Sequence, residues 1–170
     1  MNPIIRLAAA LVLCAGFPFS SSLACAQGSL KQQLAGTWTL LAINQTDKEG
    51  KPVYIFGPNP RGTQVFDVSG QWMRIVSNPD IAKFKINNRL KGTPEENTAA
   101  LHGTVASFGI WTVDEATKTL TITYNGGMYP NEAGTTSKRV VSVTGDELRV
   151  SPIQLTGSGM TSSTVWRRAK

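Results

Sequence analysis

The chain has 170 residues, of which 41% are hydrophobic and 16% are charged, and its formal net charge is +6. Both cysteines, Cys14 and Cys25, lie in the N-terminal segment, so the remainder of the sequence offers no disulfide, thiolate metal ligand or cysteine nucleophile. The basic residues are scattered rather than clustered. This argues against a nucleic-acid partner and favours at most a mild attraction to anionic ligands or surfaces.

The N-terminal 26 residues predict an export signal. Arg6 supplies a basic start, residues 7–19 form an apolar run too short to span a bilayer, and Ala24-Cys25-Ala26 is a small-x-small cleavage pattern. We therefore expect residues 27–170 to form one exported domain, periplasmic or secreted, with no integral membrane segment after cleavage. Lipid anchoring through Cys25 is the alternative, which Ser22 disfavours because a lipid-attachment box usually has Leu there.

Short runs of β-type residues separated by turn signals follow, a pattern typical of an all-β barrel. In chain order the predicted strands are residues 38–44, a short piece at 53–56, then 63–68, 71–77, 104–113, 119–125, 135–144, 147–151 and 162–168. Ser69-Gly70 predicts a two-residue hairpin turn, and Gly109 predicts a bend within its strand. Leu120, Ile122 and Tyr124 alternate with threonines, so we expect them to share one face of the sheet.

One helix is predicted between the strands. Thr93 is suited to the N-cap and Glu96 to the reciprocal capping-box position, with Pro94 at the first turn, and Gly103 is expected to end the helix after about Leu101. A weaker helical turn is predicted over residues 80–84. The adjacent acids Glu95 and Glu96 also suggest a pair of catalytic carboxylates, but neighbouring helix positions project about 100° apart and capping explains both acids.

The two ends of the domain carry matching features. Gly36-Thr37-Trp38 opens the first strand, and Trp166-Arg167 lies in the last one. This arrangement is typical of small up-and-down barrels in which a tryptophan closes one end. We expect Trp38 to lie across the barrel floor, with the Arg167 guanidinium stacked on its ring and Gly36 at the tight entry to the strand.

These features occur in a fixed order along the chain, and together they resemble the bacterial and fungal lipocalin-like domain family, which has a calycin-type barrel. The motifs are Gly36-Thr37-Trp38, residues 56–62, residues 92–96, residues 108–115 and Trp166-Arg167. The resemblance extends over about residues 34–170. It implies an antiparallel up-and-down β-barrel of about eight strands with one short helix, built around an apolar ligand cavity, and it implies no particular activity.

Aromatic residues predict where a ligand would bind. We expect those nearest the open end to line an apolar pocket closed by the Met128-Tyr129-Pro130 loop. The assigned pocket residues are Tyr54, Phe56, Phe108, Tyr124 and Tyr129. Arg61 follows a segment stiffened by two prolines and is expected to hold a ligand carboxylate at the mouth. The alternatives are a filled barrel without a cavity and an Arg61 that caps strand carbonyls or pairs with an acid.

The sequence thus favours a carrier or scavenger that binds a small hydrophobic or amphipathic molecule without a cofactor or metal. The second hypothesis is a cofactor-free isomerase, cyclase or hydrolase, in which His102 or Tyr124 transfers a proton. His102 is the only histidine, and at the end of the predicted helix it also suits a surface position that complements the helix dipole. The third hypothesis is a protein-interaction module with a filled barrel and an exposed apolar patch. The ligand and the oligomeric state stay open.

Overall fold

The computed structural model of the chain describes residues 28–154 and 159–170. The predicted export signal and its cleavage site lie outside the described residues. None of the helices in the described part is long and apolar enough to cross a membrane.

Eight strands form one closed barrel in which every strand is antiparallel to its neighbours and the last pairs with the first. Their bounds are β1 Gly36–Thr46, β2 Arg61–Phe66, β3 Gln71–Ser77, β4 Thr104–Asp114, β5 Thr119–Gly127, β6 Thr136–Thr144, β7 Glu147–Gln154 and β8 Thr161–Arg168. This confirms the predicted all-β up-and-down barrel. The short piece predicted at residues 53–56 is not a strand, since only an isolated bridge between Thr46 and Pro52 forms in that region.

The helical elements of the described residues are α1 Leu30–Leu34, α2 Pro94–His102 and a 3₁₀ turn at Pro130–Glu132. The predicted helix corresponds to α2 and has the expected capping box. The Thr93 hydroxyl accepts from the Glu96 N–H at 3.3 Å, and the Glu96 carboxylate accepts from the Thr93 N–H at 2.9 Å. Residues 80–84 do not form the predicted helical turn.

Trp38 closes one end of the barrel. Its side chain is completely buried, and its Nε1 donates a hydrogen bond to the Leu34 carbonyl at 2.8 Å. The guanidinium over its ring belongs to Arg168, whose Cζ lies 4.3 Å from the ring centroid. The prediction that Arg167 stacks on Trp38 is therefore wrong by one residue. Side chains alternate along β8, so Trp166 and Arg168 face inward while Arg167 is exposed.

Arg168 also connects the floor to the chain entering β1. Its Nη1 donates to the Ala35 carbonyl at 3.0 Å and its Nη2 to the Gln33 carbonyl at 2.5 Å. Gly36 has a φ of +124°, and a Cβ placed on it would lie 3.1 Å from Nη1. Glycine at this position therefore allows both the backbone turn and the close approach of the guanidinium.

The hydrophobic core fills the half of the barrel next to this floor. All four tryptophans are at least 97% buried, and Phe66 packs edge-to-face against Trp111 with the ring centroids 5.2 Å apart. Higher in the barrel, Trp72 packs edge-to-face against Tyr124 at 5.7 Å. The pairing of β4 with β5 changes register between Phe108 and Gly109, where Asn125 is the extra residue on β5. Because the lower half is filled, open space is confined to the other end.

Candidate functional site

A cavity of about 200 Å³ lies inside the barrel, away from the Trp38 floor. Antiparallel order brings the ends of β1, β3, β5 and β7 to this side, together with the connections at residues 47–60 and 78–103. The apolar part of the cavity wall comes from Ile43, Phe56, Val76 and Val105. This end of the barrel is therefore not completely filled by side chains.

Two arginines form the charged part of the cavity wall. Arg74 lies on β3 between the buried residues Trp72 and Val76, and Arg139 lies on β6 two residues before the buried Val141. Strand alternation thus directs both side chains into the barrel. The Arg74 guanidinium carbon is 5.5 Å from the centre of the Trp72 ring, close enough for a cation–π contact.

Tyr124 lies beside the two arginines. It is 6% exposed, and its hydroxyl is 3.4 Å from Ser137 Oγ. Arg74, Tyr124 and Arg139 line both the main cavity and a smaller void of about 20 Å³ that lies next to it. Thr164 and Trp166 also line both spaces, so the cavity and the void meet along these five side chains.

The electrostatics of the cavity are dominated by positive charge. Burial lowers the pKa of the Arg139 guanidinium, and repulsion from Arg74 lowers it further, while Tyr124 and Glu132 act in the opposite direction. Burial disfavours the charged form because the guanidinium loses its hydration. Desolvation and the charge of Arg74 thus outweigh the favourable contacts with Tyr124 and Glu132.

Glu132 is the acidic residue in the cavity wall. It lies on the 3₁₀ turn, and its Oε2 accepts a hydrogen bond from Ser107 Oγ at 2.6 Å. All 11 acidic residues belong to the described part of the chain, and none of them lies within ion-pairing distance of Arg74 or Arg139 there. Two guanidinium groups and one carboxylate leave the cavity with one uncompensated positive charge.

Three buried nitrogen atoms in this region have no hydrogen-bond acceptor among the described residues. They are Nε2 of Gln64, Nε1 of Trp72 and Nε of Arg74, and all three residues line the smaller void. Gln64 is 5% exposed and Trp72 is 3% exposed. An unsatisfied buried donor costs about 1–3 kcal/mol, so the site is poised to receive an acceptor atom.

The structure places the residues predicted from the sequence in different surroundings. Tyr124 and Phe56 lie together in the cavity wall. Tyr54 is 66% exposed and lines, with Phe56, an outer cleft of about 390 Å³ along the end of β1 and residues 53–60. Tyr129 is 59% exposed at the start of the 3₁₀ turn, where Glu132 rather than the Met128-Tyr129-Pro130 segment reaches the cavity.

Phe108 and Arg61 both lie outside the cavity wall. Phe108 was predicted to face the pocket, but it points outward and is 53% exposed, because Ser107 and Gly109 occupy the inward positions of β4. Arg61 begins β2 at the open end of the barrel, where its side chain is exposed and does not line the cavity. Any ligand contact by these two residues would have to occur outside the barrel.

The charged residues of the cavity were not identified from the sequence. The signal for two of them is the alternation itself: Trp72, Arg74 and Val76 share one face of β3, and Arg139 and Val141 share one face of β6. An arginine in register with buried residues indicates an inward-facing charge. Glu132 has no comparable signal, since it lies on a turn whose position depends on the folded barrel.

A family model described as a lipocalin-like domain matches residues 35–169. Among solved structures, a lipocalin-like protein from Bacteroides uniformis ATCC 8492 is 14% identical, with a TM-score of 0.44, over 81% of this chain and 99% of that one. None of the curated proteins matches the chain.

Proposed function

The chain belongs to the lipocalin-like domain family, and on this premise we propose that it is an exported barrel that binds a small amphipathic molecule as a carrier or scavenger. The observation that carries the proposal is the interior cavity, whose wall combines apolar and polar side chains. Such a mixed lining suits a ligand with an apolar body and a polar end.

The size of the cavity limits the ligand. A volume of about 200 Å³ equals roughly seven water molecules at about 30 Å³ each. This is below the range of about 300–1,000 Å³ that is usual for drug-sized ligands. The proposed ligand is therefore a small molecule, such as a single ring with a short chain.

Export is part of the same proposal. It is supported by the basic, apolar and small-residue pattern of residues 1–26, and a periplasmic or secreted location would expose the barrel to small molecules outside the cytoplasm. Of the two residues considered for proton transfer, Tyr124 lies in the cavity wall, whereas His102 is exposed at the end of α2 and does not contribute to that wall.

A pair of matched variants tests ligand binding in the cavity. Val105→Phe places a ring into the cavity from β4, whereas Val140→Phe adds the same ring at an exposed, outward position on β6. Binding of 3-phenylpropanoate is measured by tryptophan fluorescence, because Trp166 lines the cavity. We expect Val105→Phe to weaken binding at least tenfold and Val140→Phe to leave it unchanged. Equal binding by both variants would place the ligand outside the barrel.

An interaction module is a second candidate, because an apolar groove lies on the outside of the wall. Met73, Ile75 and Phe108 are each more than half exposed beside a groove of about 450 Å³. If this surface joins two copies of the chain, sedimentation should show a concentration-dependent dimer that Phe108→Asp abolishes. A monomer at all concentrations would count against self-association through the groove.

A further inference from the structure

The inference concerns the polar end of the ligand and rests on the proposed function. We propose that the cavity selects monoanionic ligands, in which a carboxylate on a small apolar body is held by Arg74 and Arg139. The apolar body would lie against Phe56, Val76 and Val105.

The charge balance of the cavity is the first argument. Two inward-facing guanidinium groups are opposed by one carboxylate, that of Glu132, which Ser107 already engages by a hydrogen bond. A buried charge is stable only when it is paired. A ligand with a single negative charge would neutralise the cavity, whereas a neutral ligand would leave the excess charge in place and also displace the water around it.

The chemistry of the unsatisfied atoms is the second argument. Nε2 of Gln64, Nε1 of Trp72 and Nε of Arg74 are all donors, and none has an acceptor in the described residues. The group that satisfies them must therefore offer lone pairs. An ionised carboxylate only accepts, and it has about four lone-pair sites on two oxygens. A hydroxyl or amide would add hydrogen-bond donors to a site in which three donors already have no acceptor among the described residues.

The geometry locates the carboxylate. Arg74 and Arg139 border both the main cavity and the void of about 20 Å³ that Gln64 and Trp72 also line. A volume of this size admits about one oxygen-sized atom. One carboxylate oxygen would therefore enter the void, while the rest of the ligand occupies the main cavity. A charge-assisted contact to a guanidinium is also stronger than one between neutral groups.

The selectivity test compares two ligands of nearly equal size, 3-phenylpropanoate and 3-phenylpropan-1-ol, by titration calorimetry with the purified protein. We expect the acid to bind at least tenfold more tightly than the alcohol. Inorganic phosphate alone should bind far more weakly than the acid, because it lacks the apolar body.

Variants connect this selectivity to the two arginines. Arg74→Met and Arg139→Met remove the charge but keep most of the side-chain volume, and we expect the ratio of acid to alcohol affinity to fall towards one in each. Arg61→Met is the matched control, since Arg61 is exposed outside the cavity, and its ratio should equal that of the wild type. Circular dichroism confirms that each variant is folded.

The outcomes separate the inference from the proposed function. If wild-type protein binds acid and alcohol equally, the preference for an anion is refuted while binding in the cavity stands. If neither ligand binds, both proposals fail. If phosphate alone binds as tightly as the acid, the site is a simple anion site and the amphipathic ligand class is wrong. The comparison of acid and alcohol binding by the wild-type protein tests the preference for an anion even if an arginine variant does not fold.

Discussion

The floor of the barrel makes a quantitative prediction about two adjacent arginines. Arg168 faces inward over Trp38, while Arg167 on the same strand is exposed. Replacing each in turn by methionine keeps the aliphatic stem and removes the guanidinium. The two variants have the same composition and differ only in the side of the barrel wall that loses its charge.

The magnitude for Arg168→Met follows from its contacts. The guanidinium donates to the carbonyls of Ala35 and Gln33 and lies 4.3 Å from the Trp38 ring centroid. Hydrogen bonds of charged groups contribute about 1.5–3 kcal/mol each and a cation–π contact about 0.5–2 kcal/mol. The Arg168 side chain is 31% exposed, so solvent reduces these values. We therefore expect a loss of about 2–4 kcal/mol in the free energy of unfolding.

Urea unfolding monitored by tryptophan fluorescence measures the free energy of unfolding of both variants. In a thermal melt, Arg168→Met should lower Tm by about 4–16 °C, given about 2–4 °C per kcal/mol for a domain of this size. Arg167→Met should change the free energy of unfolding by no more than about 0.5 kcal/mol, as is usual for exposed positions. A larger loss for Arg167→Met than for Arg168→Met would refute the assignment of the inner face of β8.

Three further predictions concern the cavity charge, the helix cap and the strand bulge. Glu132→Gln should raise the affinity for 3-phenylpropanoate severalfold in titration calorimetry, because it removes the negative charge that repels the ligand carboxylate. Glu147→Gln is the control, since Glu147 pairs with Arg149 and does not line the cavity, and it should leave the affinity unchanged. Hydrogen bonds from the N–H groups of Lys85 and Thr93 lower the pKa of Glu96 below its ordinary value of 4.5. The ionised Glu96 therefore contributes its full stabilisation above pH 4.5, and this contribution is lost as the pH falls through the lower pKa of the folded state. We expect Tm to fall less steeply with acidification in Glu96→Gln than in the control variant Glu49→Gln. Gly109→Ala should lower the free energy of unfolding in urea by more than about 1 kcal/mol, because the added Cβ would lie 2.0 Å from the Thr123 carbonyl oxygen. An unchanged free energy of unfolding would contradict the close contact of the two strands at this bulge.

The regular part of the barrel was predictable from the sequence because it depends on local alternation. Leu120, Ile122 and Tyr124 are all buried on one face of β5, as predicted. The helix at Pro94–His102 followed from its capping box, which depends on residues only three positions apart. Period-two patterning and capping are local properties, so a single sequence contains them.

The errors arise where placement depends on distant parts of the chain. α1 has five residues, and the N–H groups of Leu30 and Lys31 at its start donate to the Glu115 carboxylate at 2.7 and 2.9 Å. A helix this short depends on such tertiary contacts. The outward position of Phe108, by contrast, follows from plain alternation with the inward-facing Ser107, Gly109 and Trp111, so the sequence pattern could have shown it.

The candidate site was predicted only in outline. An aromatic lining with Tyr124 and Phe56 was expected, but its charges were missed because arginine is usually exposed. The alternation of residues along β3 and β6 already places Arg74 and Arg139 on the inner faces of these strands. The proximity of these two side chains to each other and to Glu132 arises only when the barrel closes, since it joins residues from β3, β6 and the 3₁₀ turn.

The most direct test of ligand binding in the barrel is native mass spectrometry of the protein purified gently from its own host. The account predicts a bound small molecule of reproducible mass that appears as a monoanion after release and is displaced by added 3-phenylpropanoate. A bare polypeptide that also fails to retain added 3-phenylpropanoate would contradict the account.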